Sequence, residues 1–159
     1  MSWSAVPVFN VGDILTAANM NIIGGDINLL GGTKGASDGG STDSSGATSY
    51  TTLAHDPAVT VTTLTTALVI LTGNVNSPTS TALILSSFVV TVASSIASSD
   101  ARASEVPQNT GGAPDQRSTV IFQTGLTAGS NTFTMQHRVT GGSAVAYVNR
   151  SLSVIPLSA

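Results

Sequence analysis

The chain has 159 residues, enough for one domain with a real core plus an appendage, and carries a formal net charge of -3 with a pI near 4.9. Only 8% of its residues are charged, against about 25% in an ordinary soluble domain, and Ser with Thr make up about a quarter, so hydroxyls keep its surface wet. The cations Lys34, Arg102, Arg117, Arg138 and Arg150 are scattered, which argues against nucleic acid as a partner, and the lack of cysteine excludes disulfide scaffolds and thiolate metal sites.

The opening MSWSAVPVF has neither a basic region nor a long apolar one, so no secretory signal is expected. The longest apolar runs, 67–71 and 88–93, fall far short of the roughly 20 residues that span a bilayer, so no membrane segment is expected either. Residues 1–13 read as an extended arm: Pro7 breaks any helix, and Trp3, Val8 and Phe9 have reason to be there only if they bury on the chain's own body or on a neighbour. Thr16 reads as a helix N-cap, after which Met20, Ile23, Ile27 and Leu30 step by three, four and three along one face. Gly24 and Gly25 each weaken that helix by about 1 kcal/mol relative to alanine, and Gly31 with Gly32 stops it. A helix this short is marginal alone. It needs a surface, which is the chain's own β-domain, a symmetry mate or a different protein.

Residues 33–49, TKGASDGGSTDSSGATS, contain no large apolar side chain and read as a flexible linker, giving an arm and helix over 1–33, a Gly/Ser-rich linker over 34–49 and a β-domain over 50–159. From there short runs of Thr, Val, Ile and Leu predict strands at 59–66, 67–72, 81–86, 88–94, 118–124, 131–139, 144–149 and 151–155. The stretch 100–117, with two prolines, two glycines and much of the charge, reads as a long surface loop. Together these predict a mainly β fold, a jelly-roll-like β-sandwich preceded by an extended arm and one short helix. A hairpin turning at Gly141 and Gly142 would pair Val139 with Ala144, His137 with Ala146 and Phe133 with Arg150. Its core face would be Phe133, Met135, His137, Val139, Ala144, Ala146 and Val148. The opposite face, with Val145 and Tyr147 beside Arg138 and Asn149, is mixed enough to be a subunit interface or a partly covered exterior.

Signals of chemistry are sparse. His55 lies in the turn-like AHDP, and His137 falls on the apolar hairpin face, as a core histidine or one lining an oligomer axis. No G-x-S-x-G elbow supports a serine nucleophile, and most of the seven aspartates and one glutamate lie in the linker or the long loop, away from the geometry of a glycosidase pair. Neither a phosphate loop nor a metal set is present, so no catalytic, cofactor or metal residue is assigned.

Two phrases resemble virion proteins of tailed bacteriophages, especially those of actinobacteria. FNVGDILTAANMNIIGGDINLLGGT resembles their N-terminal segment through Phe9, Gly12, Asp13, Leu15, Thr16, Ala17 and Asn21. GLTAGSNTFTMQHRVTGGSAVAYVNRSLSVIPL is similar to the last strands of small phage β-sandwich domains through Gly125, Leu126, Gly129, Thr132, Phe133, Leu152, Val154, Ile155, Pro156 and Leu157, with Asn131 where the pattern often has histidine. The resemblance covers about the first 33 and last 35 residues and leaves the middle unmatched. It implies a non-enzymatic structural protein of the virion, assembled in the host cytoplasm, that forms homotrimers and contacts other virion proteins through its arm. A tail-tip or minor tail role is favoured, with loop 100–117 facing host surface glycans; the alternatives are a head decoration protein on the capsid and, remotely, a cell-wall polysaccharide hydrolase.

Overall fold

Alternating β-branched and hydroxyl residues favour pleated, half-buried strands, and in the computed structural model they form two antiparallel sheets. The structure describes residues 32–76, 83–106, 115–141 and 145–157. Nine strands occur there: β1 Lys34–Ser37, β2 Asp43–Ser45, β3 Ala58–Thr63, β4 Thr66–Asn76, β5 Ile84–Val92, β6 Ser104–Val106, β7 Asp115–Gln123, β8 Gly129–Val139 and β9 Val145–Leu157. One sheet has the order β1-β9-β4-β7, with β2 also on β9, and the other has the order β3-β8-β5-β6. The only helix among the described residues is a 3-10 turn, Asp100–Arg102. The arm and the predicted helix, with Trp3, Val8, Phe9, Met20, Ile23, Ile27 and Leu30, lie outside the described residues.

The sheets face each other through a dry cluster in which Val69, Leu71, Leu152 and Val154 of one meet Val59, Phe88, Phe133 and Met135 of the other. Inward residues follow the period of two that a strand imposes: on β8, Asn131, Phe133, Met135, His137 and Val139 are buried and their neighbours are less so. The sequence-predicted core face of this strand therefore stands.

Several expectations are corrected. The strand 131–139 does not form a hairpin with the one that follows: β8 pairs with β3 and β5, while β9 pairs with β1, β2 and β4 in the opposite sheet. A Gly-rich turn permits a hairpin but does not require one, and here the chain crosses between sheets instead. Val145 and Tyr147 are consequently not a subunit interface; they are buried with Val75, Ile84, Val106 and Val139 inside the chain's own core. Nor is 34–49 a plain linker, because β1 and β2 both form ladders with β9. Short polar strands lack apolar periodicity, so backbone pairing is their only signature. Two pairs of predicted strands also merge, 81–86 with 88–94 into β5 and 144–149 with 151–155 into β9. The stretch 100–117 is not one surface loop, because it holds the 3-10 turn, β6 with Ser104 and Val106 buried, and the start of β7.

Candidate functional site

The polar chemistry of the interior gathers around Arg150, which is 1% exposed. A strand's alternation would place Tyr147, Asn149 and Ser151 on one face, yet Tyr147 and Arg150 are both buried. A bulge resolves this. Thr72 of β4 faces Ser151 while Asn74 faces Val148, so β9 spends one more residue than β4 over the same interval. Asn149 absorbs the kink with φ of 50°, a conformation that asparagine tolerates better than most residues. Past the bulge the parity is reversed, and Arg150, Leu152 and Val154 point inward.

Three aspartates from the 38–56 stretch converge on the guanidinium. Nε donates to Asp38 Oδ2 at 2.9 Å, Nη2 to Asp43 Oδ2 at 2.7 Å and Nη1 to Asp56 Oδ1 at 2.8 Å. Local turns aim each carboxylate. Asp38 ends β1 in an Asp-Gly-Gly turn whose glycines have φ of 65° and 83°, and it also accepts the backbone N–H of Gly40 at 2.9 Å and of Arg150 at 2.8 Å. Asp43 opens β2 opposite Tyr147. Asp56 accepts the Leu53 N–H at 2.6 Å in the turn before β3. Between β1, which pairs with Ser151–Val154, and β2, which pairs with Val145–Tyr147, β9 has a gap in its ladder where Arg150 sits.

His137, 0% exposed, extends the network. Its Nε2 lies 2.8 Å from Asp56 Oδ1 and its Nδ1 lies 2.8 Å from Ser86 Oγ on β5. A carboxylate only accepts, so Nε2 carries the proton toward Asp56, and in the neutral ring Nδ1 accepts from the Ser86 hydroxyl. The ring packs on Tyr147 with centroids 4.3 Å apart. At the surface, His55 donates its backbone N–H to Asp43 Oδ2 at 3.0 Å, and its Nδ1 lies 3.0 Å from Asp43 Oδ1.

The electrostatics follow from this bonding. Burial raises the Asp43 carboxyl, but the hydrogen bonds from Arg150 and His55 outweigh it and bring the pKa down to about 2. For Asp38, burial is again opposed by bonds from Arg150 and Gly40, and the balance is downward. Burial pushes the Tyr147 phenol up, with the charge of Asp56 adding to the effect.

Ser86, His137 and Asp56 have the residue types of a hydrolase triad, but not its accessibility. Ser86 is 6% exposed and faces between the sheets, and the Asp56 carboxylate is shared with Arg150. A nucleophile must meet a substrate carbonyl beside oxyanion donors. A groove of about 320 Å³, bounded by Gly32, Lys34, Thr60, Val61, Thr62 and Ser130, contains none of these groups. The arrangement fastens β5, β8 and β9 to the 38–56 crossover; it is suited to holding strands together rather than turning over a substrate.

Of the residues that sequence reading singled out, His137 joins this network inside a single chain, His55 caps it at the surface, and Val145 and Tyr147 line the adjacent core. Asp38, Asp43, Asp56, Ser86 and Arg150 were not identified as a set. The Asp-Gly-Gly turn is the one local signal for Asp38; the others are far apart in sequence and carry no shared motif. Among the described residues no group of three or more His, Cys, Asp or Glu side chains is placed to hold a metal ion, and no helix is long and apolar enough to cross a membrane. Compared with known proteins, the chain matches no family model and no curated sequence.

Proposed function

We propose that this chain is a non-enzymatic structural protein of a tailed-bacteriophage virion, built on a jelly roll and attached to the particle through its N-terminal arm. The observation that carries the non-enzymatic reading is the burial of the Ser86, His137, Asp56 and Arg150 side chains, whose hydrogen bonds go to one another and to Asp38 and Asp43. The virion reading rests on the phage-like phrases at 9–33 and 125–157.

The strand orders β1-β9-β4-β7 and β3-β8-β5-β6 support a jelly roll, in which the chain winds between two four-stranded layers and first and last strands become neighbours. That architecture is common in virus particles and also in lectins, so it supports the role without specifying it. In this reading Trp3, Val8, Phe9 and the seam Met20, Ile23, Ile27 and Leu30 bind symmetry mates or neighbouring virion proteins, and the protein is a homotrimer. A tail-tip position is preferred over a capsid-decorating one.

Quantitative mass spectrometry of purified virions tests the proposal by copy number relative to the major capsid protein. A few to a few dozen copies support the tail and hundreds support head decoration, while complete absence overturns the virion role. Replacing Ile23 and Ile27 together with aspartate is expected to abolish incorporation; normal incorporation would remove the helix from the attachment.

A further inference from the structure

We propose that the outer face of the β1-β9-β4-β7 sheet is a homotypic interface on which a second copy of this chain docks. The inference adds to the oligomeric reading above the surface that the copies share, and it does not depend on the particle in which they work.

The face is distinguished first by its apolar patch. Val120 and Phe122 on β7 are 60% and 61% exposed, and the ladders place Ile70 beside Val120, Leu68 beside Phe122, and Ile155 beside Leu68. These side chains form a contiguous row across three strands, where scattered single apolar residues would need no explanation.

The second distinction is charge. Strand alternation leaves Ser, Thr, Asn, Gln and Gly around the patch, and no Asp, Glu, Lys, Arg or His of the described residues projects from this face. Asp115 and Arg117 belong to the other parity of β7 and pair with each other at 3.0 Å. The outer face of the opposite sheet differs, since Arg138 on β8 pairs there with Asp100 and packs over Tyr50. For a chain of net charge -3, a neutral face lets two copies meet without bringing like charges together. Hydroxyl and apolar side chains are self-complementary, which selects a second copy over a charged partner.

Size and edge are consistent with that occupant. Nine paired residues at about 3.4 Å along β4, β7 and the facing part of β9, with the four residues of β1, at about 4.8 Å per strand, give about 500 Å² in projection. Side chains standing from the pleat raise the accessible area toward the roughly 800 Å² per partner of a stable interface. β7 also ends the described sheet with one edge free of any strand, and residues 118–123 carry neither the charges nor the prolines that commonly guard such an edge.

The test is sedimentation of the full chain at about 100 μM, with wild type expected at a multiple of 15.9 kDa and Phe122→Arg at 15.9 kDa with an unchanged circular dichroism spectrum. Because the chain has no cysteine, Phe122→Cys introduces a single thiol. Mild oxidation is expected to cross-link copies of this variant and not of Thr62→Cys, which lies on the other sheet. A monomeric wild type overturns the proposal. So does an oligomer that survives Phe122→Arg, or cross-linking of Thr62→Cys as efficient as that of Phe122→Cys. Virion incorporation is read separately, so failure of the interface and failure of the particle role are distinguishable.

Discussion

The same two sheets meet in two different ways. Where Val69, Leu71, Leu152 and Val154 face Phe88, Phe133 and Met135, the contact is apolar and non-directional. A few residues along β8 and β9, the contact passes through Arg150, three aspartates, His137 and Ser86, each atom aimed at a particular partner. The dry end provides free energy in proportion to area, whereas the charged end is close to balanced, because desolvating the ions offsets most of their attraction. What the charged end contributes is position. It ties the polar stretch 38–56, which has few apolar residues of its own, to the body by directional bonds.

Removing single partners should expose the contrast most strongly at the charged end. Arg150→Met leaves three carboxylates facing one another in the interior, and a loss of about 3–5 kcal/mol is expected in denaturant unfolding. Arg150→Lys keeps the charge but cannot reach three carboxylates with a planar fork, so it should recover only part of the loss. In the dry half, Leu152→Ala should cost about 2–5 kcal/mol, and its cost should be indifferent to salt and pH. A comparable pH dependence in Leu152→Ala and in Arg150→Met would erase the distinction.

Two intermediate effects probe the supporting geometry. Ser86→Ala leaves Nδ1 of His137 without its partner and is expected to cost about 1–3 kcal/mol. Asn149→Val forces a β-branched residue into a positive φ and should cost about 1–3 kcal/mol, with Asn149→Gly tolerated. If both variants were equally stable, the bulge would not be what turns Arg150 inward.

The acid response comes from the lowered carboxyls. Asp43 has a folded pKa of about 2 against an ordinary 3.8, so its contribution is complete above 3.8 and is lost as pH falls toward 2; Asp38 shifts in the same direction. Thermal midpoints should therefore drop between pH 4 and 2, and Asp43→Asn should flatten that drop. The smallest effect is expected for Tyr147→Phe, because the buried Tyr147 hydroxyl has no hydrogen-bond partner among the described residues. Its midpoint should stay level or rise.

Particular residues show where the sequence was readable. The inward face of β8 was legible because four residues in strict alternation, Phe133 to Val139, need no knowledge of the partner strand. The strand that follows was misread because its inward face was taken from a hairpin with β8, which put Ala144, Ala146 and Val148 inside. β9 lies in the other sheet with Val145 and Tyr147 buried, and the bulge at Asn149 then reverses the parity so that Arg150 is buried as well. β1 and β2 were read as linker because residues 34–49 have no apolar periodicity, and their strands exist only as partners of β9. The ion network was invisible because Asp38 and Arg150 are 112 positions apart.

The sequence by itself determined a mainly β chain, the buried side of β8 and the scarcity of surface charge, since composition and a period of two are local properties. Tertiary structure decided which strands pair, which sheet each joins, and where the charges go. Pairing and ion contacts are made between distant segments, and their energies depend on a register, a bulge and a shared low-dielectric interior that no single stretch of the chain contains.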